Sequence, residues 1–154
     1  MKNIFDRAVA DEVVARIERL SPTSEPLWGT MSVDQMLAHC CVPFEAVYDP
    51  AYAEAHPRPN ALIRWVLRLI AKPIVVGERP YKRNMRTAPE FIIEGARDFE
   101  AEQARLSGYV RRLQADGAAA FEGRESHSFG PLTAREWSTL FYKHTDHHLQ
   151  QFGV

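Results

Sequence analysis

The chain has 154 residues, 45% of them hydrophobic and 25% charged, which points to one folded domain and excludes a disordered chain. Its net charge of −1 and pI near 6.6 leave no global basic face of the kind nucleic-acid binders carry. Its most apolar stretch, residues 61–76, carries Arg64, Arg68 and Lys72 and is interrupted by Pro73, so it is too short and too charged to span a membrane.

The opening Met-Lys-Asn-Ile-Phe-Asp runs into a charged helical pattern, with no leader-like apolar segment before it. Val9, Val13, Ile17 and Leu20 recur at helical spacing and predict a first helix over about 7–20. The segment from Ser21 to Pro26 reads as a loop. A second helix starts at Ser32, which forms a capping box with Gln35, and Asp49-Pro50 stops it. Pro43 lies inside it and removes the hydrogen bond to the carbonyl of residue 39, so a kink is expected beside His39. The adjacent Cys40 and Cys41 cannot staple distant segments, which fits a reducing cytoplasm, and both read as small core residues.

Residues 50–90 form a long proline-rich connection holding one amphipathic helix, about 60–71. That helix reads as packed across the body of the fold, with a dimer contact or a membrane-surface segment as the other readings. Arg79, Lys82, Arg83 and Arg86 read as a solvated loop. A further helix over about 96–115 has Phe99, Leu106, Val110 and Leu113 as its apolar stripe and ends at Asp116-Gly117. The last helix, about 134–151, opens with a capping box of Thr133 and Glu136. Four main helices, one long crossover and almost no strand pattern predict an all-α four-helix bundle, in one domain over 1–154.

Three of the six histidines fall in His144-Thr145-Asp146-His147-His148. With His144 at zero on the helical wheel, Trp137 falls at about +20°, Leu140 at about −40°, Phe141 at about +60°, His148 at about +40° and His147 at about −60°. His144 and His148 therefore sit in the middle of the apolar face, and His147 at its edge. Two polar rings buried without partners cost about 1–3 kcal/mol each, and a shared divalent ion removes that cost at a spacing of four. Structural packing explains the pair equally well. On the second helix His39 offers a third ligand, beside Met36 and Pro43 toward the edge of the apolar face. Glu102, within the stripe of the third main helix, reads either as a partner or base for such a site or, preferably, as half of an ion pair. His147 and Gln151 are further candidates for the base. His56 and His127 are loop positions.

The run Leu27-Trp28-Gly29-Thr30-Met31-Ser32-Val33-Asp34-Gln35-Met36-Leu37-Ala38-His39-Cys40 resembles the second-helix signature of the DinB superfamily. The closing segments, Phe129 to Trp137 and His144 to Phe152, resemble the last helix of one branch of it, made of uncharacterised domains; Asn84 to Pro89 and Phe99 to Leu106 are similar too. The resemblance covers nearly the whole chain. It implies a bundle with a long crossover between its second and third helices. It implies a metal triad, here His39, His144 and His148, for zinc, nickel or a similar divalent ion. It also implies a small-molecule substrate, a thiol-dependent transferase or hydrolase reaction and, for a transferase, a low-molecular-weight thiol; a non-catalytic sensor or carrier is the other reading. No nucleic acid or membrane partner is expected. Dimerisation, through the 61–71 helix or an outer face, rests on the resemblance alone.

Overall fold

A computed structural model describes residues 1–154. The chain is mostly helical. Its long helices are α1 (Arg7–Glu18), α2 (Val33–Tyr48), α6 (Phe99–Asp116) and α7 (Ala134–Gln151). Between α2 and α6 lie three short ones, α3 (Pro50–Ala55), α4 (Ala61–Ile70) and α5 (Lys72–Val76), and a 3-10 turn at Pro89–Phe91. A small antiparallel hairpin, β1 (Arg124–Ser126) and β2 (Gly130–Leu132), pairs Arg124 with Leu132 and Ser126 with Gly130 just before α7. No helix is long and apolar enough to cross a membrane.

The boundaries follow local chemistry. Both capping boxes are present, Ser32 with Gln35 and Thr133 with Glu136, and each satisfies N–H groups that the first turn leaves free. Pro43 stands within α2, which continues as helix beyond it to Tyr48. Asp49 ends α2 and also caps α3, where its carboxylate accepts from the N–H of Ala51 and Pro50 takes the first helical position. Gln103 of α6 donates to the carbonyls of Ile17 and Leu20, at 2.8 and 3.3 Å, and so satisfies the open end of α1.

The four long helices share one core. The α2 helix lies against α6 and α7, and α1 lies against the same two. Val13 and Ile17 of α1 meet Met36, Leu37 and Phe44 of α2, Leu106, Val110 and Leu113 of α6, and Phe141 and Leu149 of α7 in a single buried cluster. Cys40 and Cys41 belong to it as free thiols. Burial raises both, Cys41 to about 12, so neither is a ready thiolate. Arg16 of α1 reaches Asp146 of α7 at 2.6 Å and the Val154 carbonyl at 2.9 Å, which ties the two outer helices and the chain end together.

One expectation is overturned here. The 61–71 helix does not bury its apolar side against the body; no residue of α4 is buried. Its arginines face the hairpin instead, where Arg64 pairs with Glu125 at 2.9 Å.

Candidate metal centre

The α2 and α7 helices bring three imidazoles together in the interior. His39 projects from the middle of α2, and His144 and His148 lie one turn apart on α7. Their ring centroids are 4.8 Å (His39–His144), 4.5 Å (His39–His148) and 4.9 Å (His144–His148) apart. One ligating nitrogen from each lies within 4.8 Å of the others. His39 and His148 are buried, at 3% and 8% exposure. As a whole residue His144 is half-buried, but its Nδ1 is sealed from solvent.

Outer contacts fix which nitrogens point inward. His39 Nδ1 lies 2.8 Å from the Phe91 carbonyl, which can only accept, so Nδ1 carries the proton and Nε2 presents its lone pair to the centre. Gln151 performs the same service for His148. Its amide nitrogen donates to the Trp28 carbonyl at 2.6 Å, which directs its oxygen at His148 Nδ1, 2.8 Å away. His148 therefore also turns an unprotonated nitrogen to the interior. Gly29 makes room for this link: a Cβ there would stand 2.6 Å from the Gln151 amide nitrogen, and its φ of +82° suits glycine.

His144 faces His39 with Nε2 to Nε2 at 2.9 Å. Its Nδ1 is sealed from solvent and has no partner. Without an ion, His144 Nε2–H can donate to the His39 Nε2 lone pair, which leaves only Nδ1 of His144 unsatisfied. Nitrogens on a tetrahedral zinc would stand about 3.4 Å apart, given bonds of about 2.0–2.1 Å. The triad brackets that spacing, so small ring shifts seat an ion, and the residues present fit a divalent metal. Three imidazoles suit several such ions and do not select among them.

Burial drives all three rings toward the neutral, ligating form. It lowers His39 and carries His144 well below the ordinary imidazole value, with the neighbouring histidines adding to the effect on His144. His148 falls to about 3, chiefly through burial. The unfolded chain therefore binds more protons than the folded one between pH 6.5 and about 3. The metal-free protein is expected to hold full stability above pH 6.5 and to lose it progressively as pH falls toward 3; thermal melts of chelator-treated protein across that range check this. A flat profile would mean that the rings are not buried as neutral groups.

The other candidates fall elsewhere. Glu102 is bound by Arg105 at 2.5 Å, with Glu45 on the same guanidinium, and makes no polar contact with a histidine. Of its two readings, the preferred ion pair is the one these contacts show: α6 places an arginine one turn along to hold it. His147 is not a member of the triad. Its ring lies between Trp28 and Tyr81, 5.2 Å from that of His148, on the wall of a cavity of about 560 Å³ that Arg83, Lys143 and Asp146 also line. Gln151 is a positioning residue rather than a base. Its replacement by Leu is expected to weaken metal binding by about 10–100-fold, as loss of an outer-sphere partner does, in competition titration against a chromophoric chelator. His56 and His127 are engaged with each other's loop, His127 Nε2 donating to the His56 carbonyl at 2.8 Å.

Sequence reasoning missed the Phe91 and Trp28 carbonyls. Backbone acceptors carry no residue-type signal, and only the folded path of the connection brings residue 91 to residue 39. No curated protein and no solved structure matches the chain. A family model does, over residues 5–153: the chain belongs to the DUF1569 family, described as a protein of unknown function.

Proposed function

We propose that the protein is a divalent-metal-dependent enzyme of the DinB superfamily, a single-domain four-helix bundle with a long crossover between its second and third main helices, acting on a small molecule in the cytoplasm. A thiol-dependent transferase or a hydrolase is the reaction class. The observation that carries the reading is the convergence of His39, His144 and His148 with no carboxylate among them. Such a neutral donor set leaves a divalent ion its full positive charge, and three protein ligands leave a tetrahedral ion one position for a further ligand.

A zinc or nickel ion bound there would act as a Lewis acid, lowering the pKa of a bound water or thiol so that the deprotonated form persists near neutral pH. The chain's residues hold that ion and shape its surroundings. Phe91 and Gln151 keep His39 and His148 aimed inward. The Phe91 ring packs in a T-shaped arrangement with both His39 and His144, at centroid distances of 5.5 and 5.8 Å. Of the three candidates for proton transfer, Gln151 is a non-titrating amide and Glu102 is held by Arg105, which leaves His147. Burial lowers its imidazole below the ordinary value, while Asp146 pulls the other way. The adjoining cavity, with Trp28, Tyr81 and Arg83 on its walls, offers an aromatic and cationic seat for a small substrate.

Elemental analysis of untagged protein purified without chelator tests the ligand reading and is expected to give close to one divalent ion per chain. The loaded protein is then screened with low-molecular-weight thiols plus electrophiles and with ester and amide substrates. Metal-dependent turnover that a chelator abolishes is the expected result. Absence of stoichiometric metal would overturn the proposal; metal without turnover would replace the enzyme with a sensor or carrier.

A further inference from the structure

Positive charge and exposed apolar surface gather on the connection between α2 and α6. Residues 57–88 hold eight lysines and arginines against one acid, Glu78, in a chain whose net charge is −1. Glu78 is itself engaged by Arg135 and the N-terminal amine. Of the eight, Arg58 and Arg64 share Glu125, and Lys72 pairs with Glu136 at 2.8 Å. Arg68, Arg79, Lys82, Arg83 and Arg86 are exposed and have no carboxylate partner.

Within this segment α4 turns its apolar side outward. With Trp65 at zero on the helical wheel, Leu69 falls at about +40°, Leu62 at about +60°, Val66 at about +100° and Ile70 at about +140°, while Arg68 falls at about −60° and Arg64 at about −100°. Leu62 is 71% exposed, Trp65 59%, Leu69 58% and Ile70 66%, and Ile63, Val66 and Ile74 extend the stripe. The other side is fastened to the body. Arg64 pairs with Glu125 of β1 at 2.9 Å, and Lys143 of α7 donates to the carbonyls of Ile74 and Gly77. Arg68 stands at the shoulder of the stripe beside Trp65 and reaches over Gly130 of β2, where a Cβ would lie 4.0 Å from its guanidinium.

A contiguous exposed stripe of this kind marks an interaction surface. The charge around it selects the partner. A second copy laid on the stripe would bring two basic segments together, each with five uncompensated cations, and like charges facing each other oppose the contact. An anionic lipid surface offers those cations the opposite sign, while Trp65 and the aliphatic side chains enter the boundary between headgroups and acyl chains. No helix is long and apolar enough to cross a bilayer, so the contact is with its surface.

We propose, against the sequence expectation of no membrane partner, that α4 and α5 dock the protein on an anionic lipid surface, with the apolar stripe at the acyl boundary and Arg68 among the phosphates. The experiment is flotation of the full-length chain with phosphatidylcholine–phosphatidylglycerol vesicles, beside vesicles of phosphatidylcholine alone. The wild type is expected to float with the mixed vesicles, to release as salt is added, and to bind phosphatidylcholine alone at least about 10-fold more weakly. Trp65→Glu and Leu69→Glu are each expected to lower partition into the mixed vesicles by at least about 10-fold, the effect of losing one buried apolar side chain. Arg68→Gln should lose about fivefold on the mixed vesicles and nothing on phosphatidylcholine alone, the share of one basic group near an anionic surface. Leu69→Met is expected to bind as the wild type does. Trp65 and Leu69 are exposed, so far-UV circular dichroism and metal content of the Glu variants should match the wild type. A wild type that does not float with the mixed vesicles overturns the proposal, as does flotation that survives both Glu substitutions or is equal on phosphatidylcholine alone. A wild type that fails to float but sediments as a dimer, dissociated by Trp65→Glu, would also overturn it and assign the stripe to a second copy.

Discussion

His144→Ala protein is expected to purify without stoichiometric metal, with an affinity loss well beyond the roughly 100-fold that removal of an outer-sphere partner produces. His144 supplies the nitrogen nearest to His39, at 2.9 Å, and its loss leaves two imidazoles on opposite helices as the only donors of the cluster. A fold defect is separable from this ligand defect. His144 carries a sealed Nδ1 with no partner, so its truncation removes an unsatisfied buried group whose cost is about 1–3 kcal/mol, offsetting much of the lost packing. The metal-free variant should therefore melt close to the metal-free wild type, while added zinc should raise the melting temperature of the wild type alone. His147→Ala, adjacent but outside the triad, should keep its ion. Full occupancy in His144→Ala by elemental analysis would remove His144 from the ligand set.

The largest effect on stability is expected from Phe141→Ala, about 3–5 kcal/mol by urea denaturation. Phe141 is fully buried, stacks on Phe44 at 4.5 Å and on Trp137 at 5.5 Å, and meets the edge of Phe121 at 6.1 Å. It is thus the point where α2, α7 and the segment before the hairpin close on each other. A domain of this kind has only about 5–15 kcal/mol in hand, so the variant should be near the limit of folding and should melt about 10 °C lower or more. Phe141→Leu leaves a smaller void and should recover much of the loss. A loss under about 1 kcal/mol would mean that the aromatic stack is not the centre of the core.

The long helices were readable because their signals are local. Capping boxes, glycine and proline stops and apolar stripes all act within a few residues, and the readings at 7–20, about 32–49, 96–115 and 134–151 meet α1, α2, α6 and α7 to within about three residues at each end. The connection was harder for the same reason. Asp49-Pro50 is a stop signal and a start signal at once, so α3 was hidden behind the end of α2, and Pro73, read as an interruption, occupies the first turn of α5. The triad emerged because spacing four on an apolar face is itself a local pattern, and His39 was the only histidine on a main helix in the first half of the chain. What no pattern carried was orientation. Whether α4 turns Leu69 or Arg68 to the body depends on Glu125 and Gly130, some sixty residues away. Likewise Glu102 could not be distinguished from a site carboxylate until Arg105 was seen on it.

The Phe91 carbonyl ties the interior to the most irregular part of the chain. Gln35 donates to Gly95, and the N–H of Arg97 to Asp34, so the strap that ends in α6 is already pinned along the first turn of α2 before it delivers residue 91 to His39. Whatever loosens the strap frees an imidazole to rotate, and whatever grips that imidazole stiffens the strap. Ion uptake and slow amide exchange across residues 89–97 are therefore two readings of one equilibrium, and a substitution remote from every nitrogen donor, at Asp34 or Gln35, can weaken coordination simply by letting the chain above it breathe.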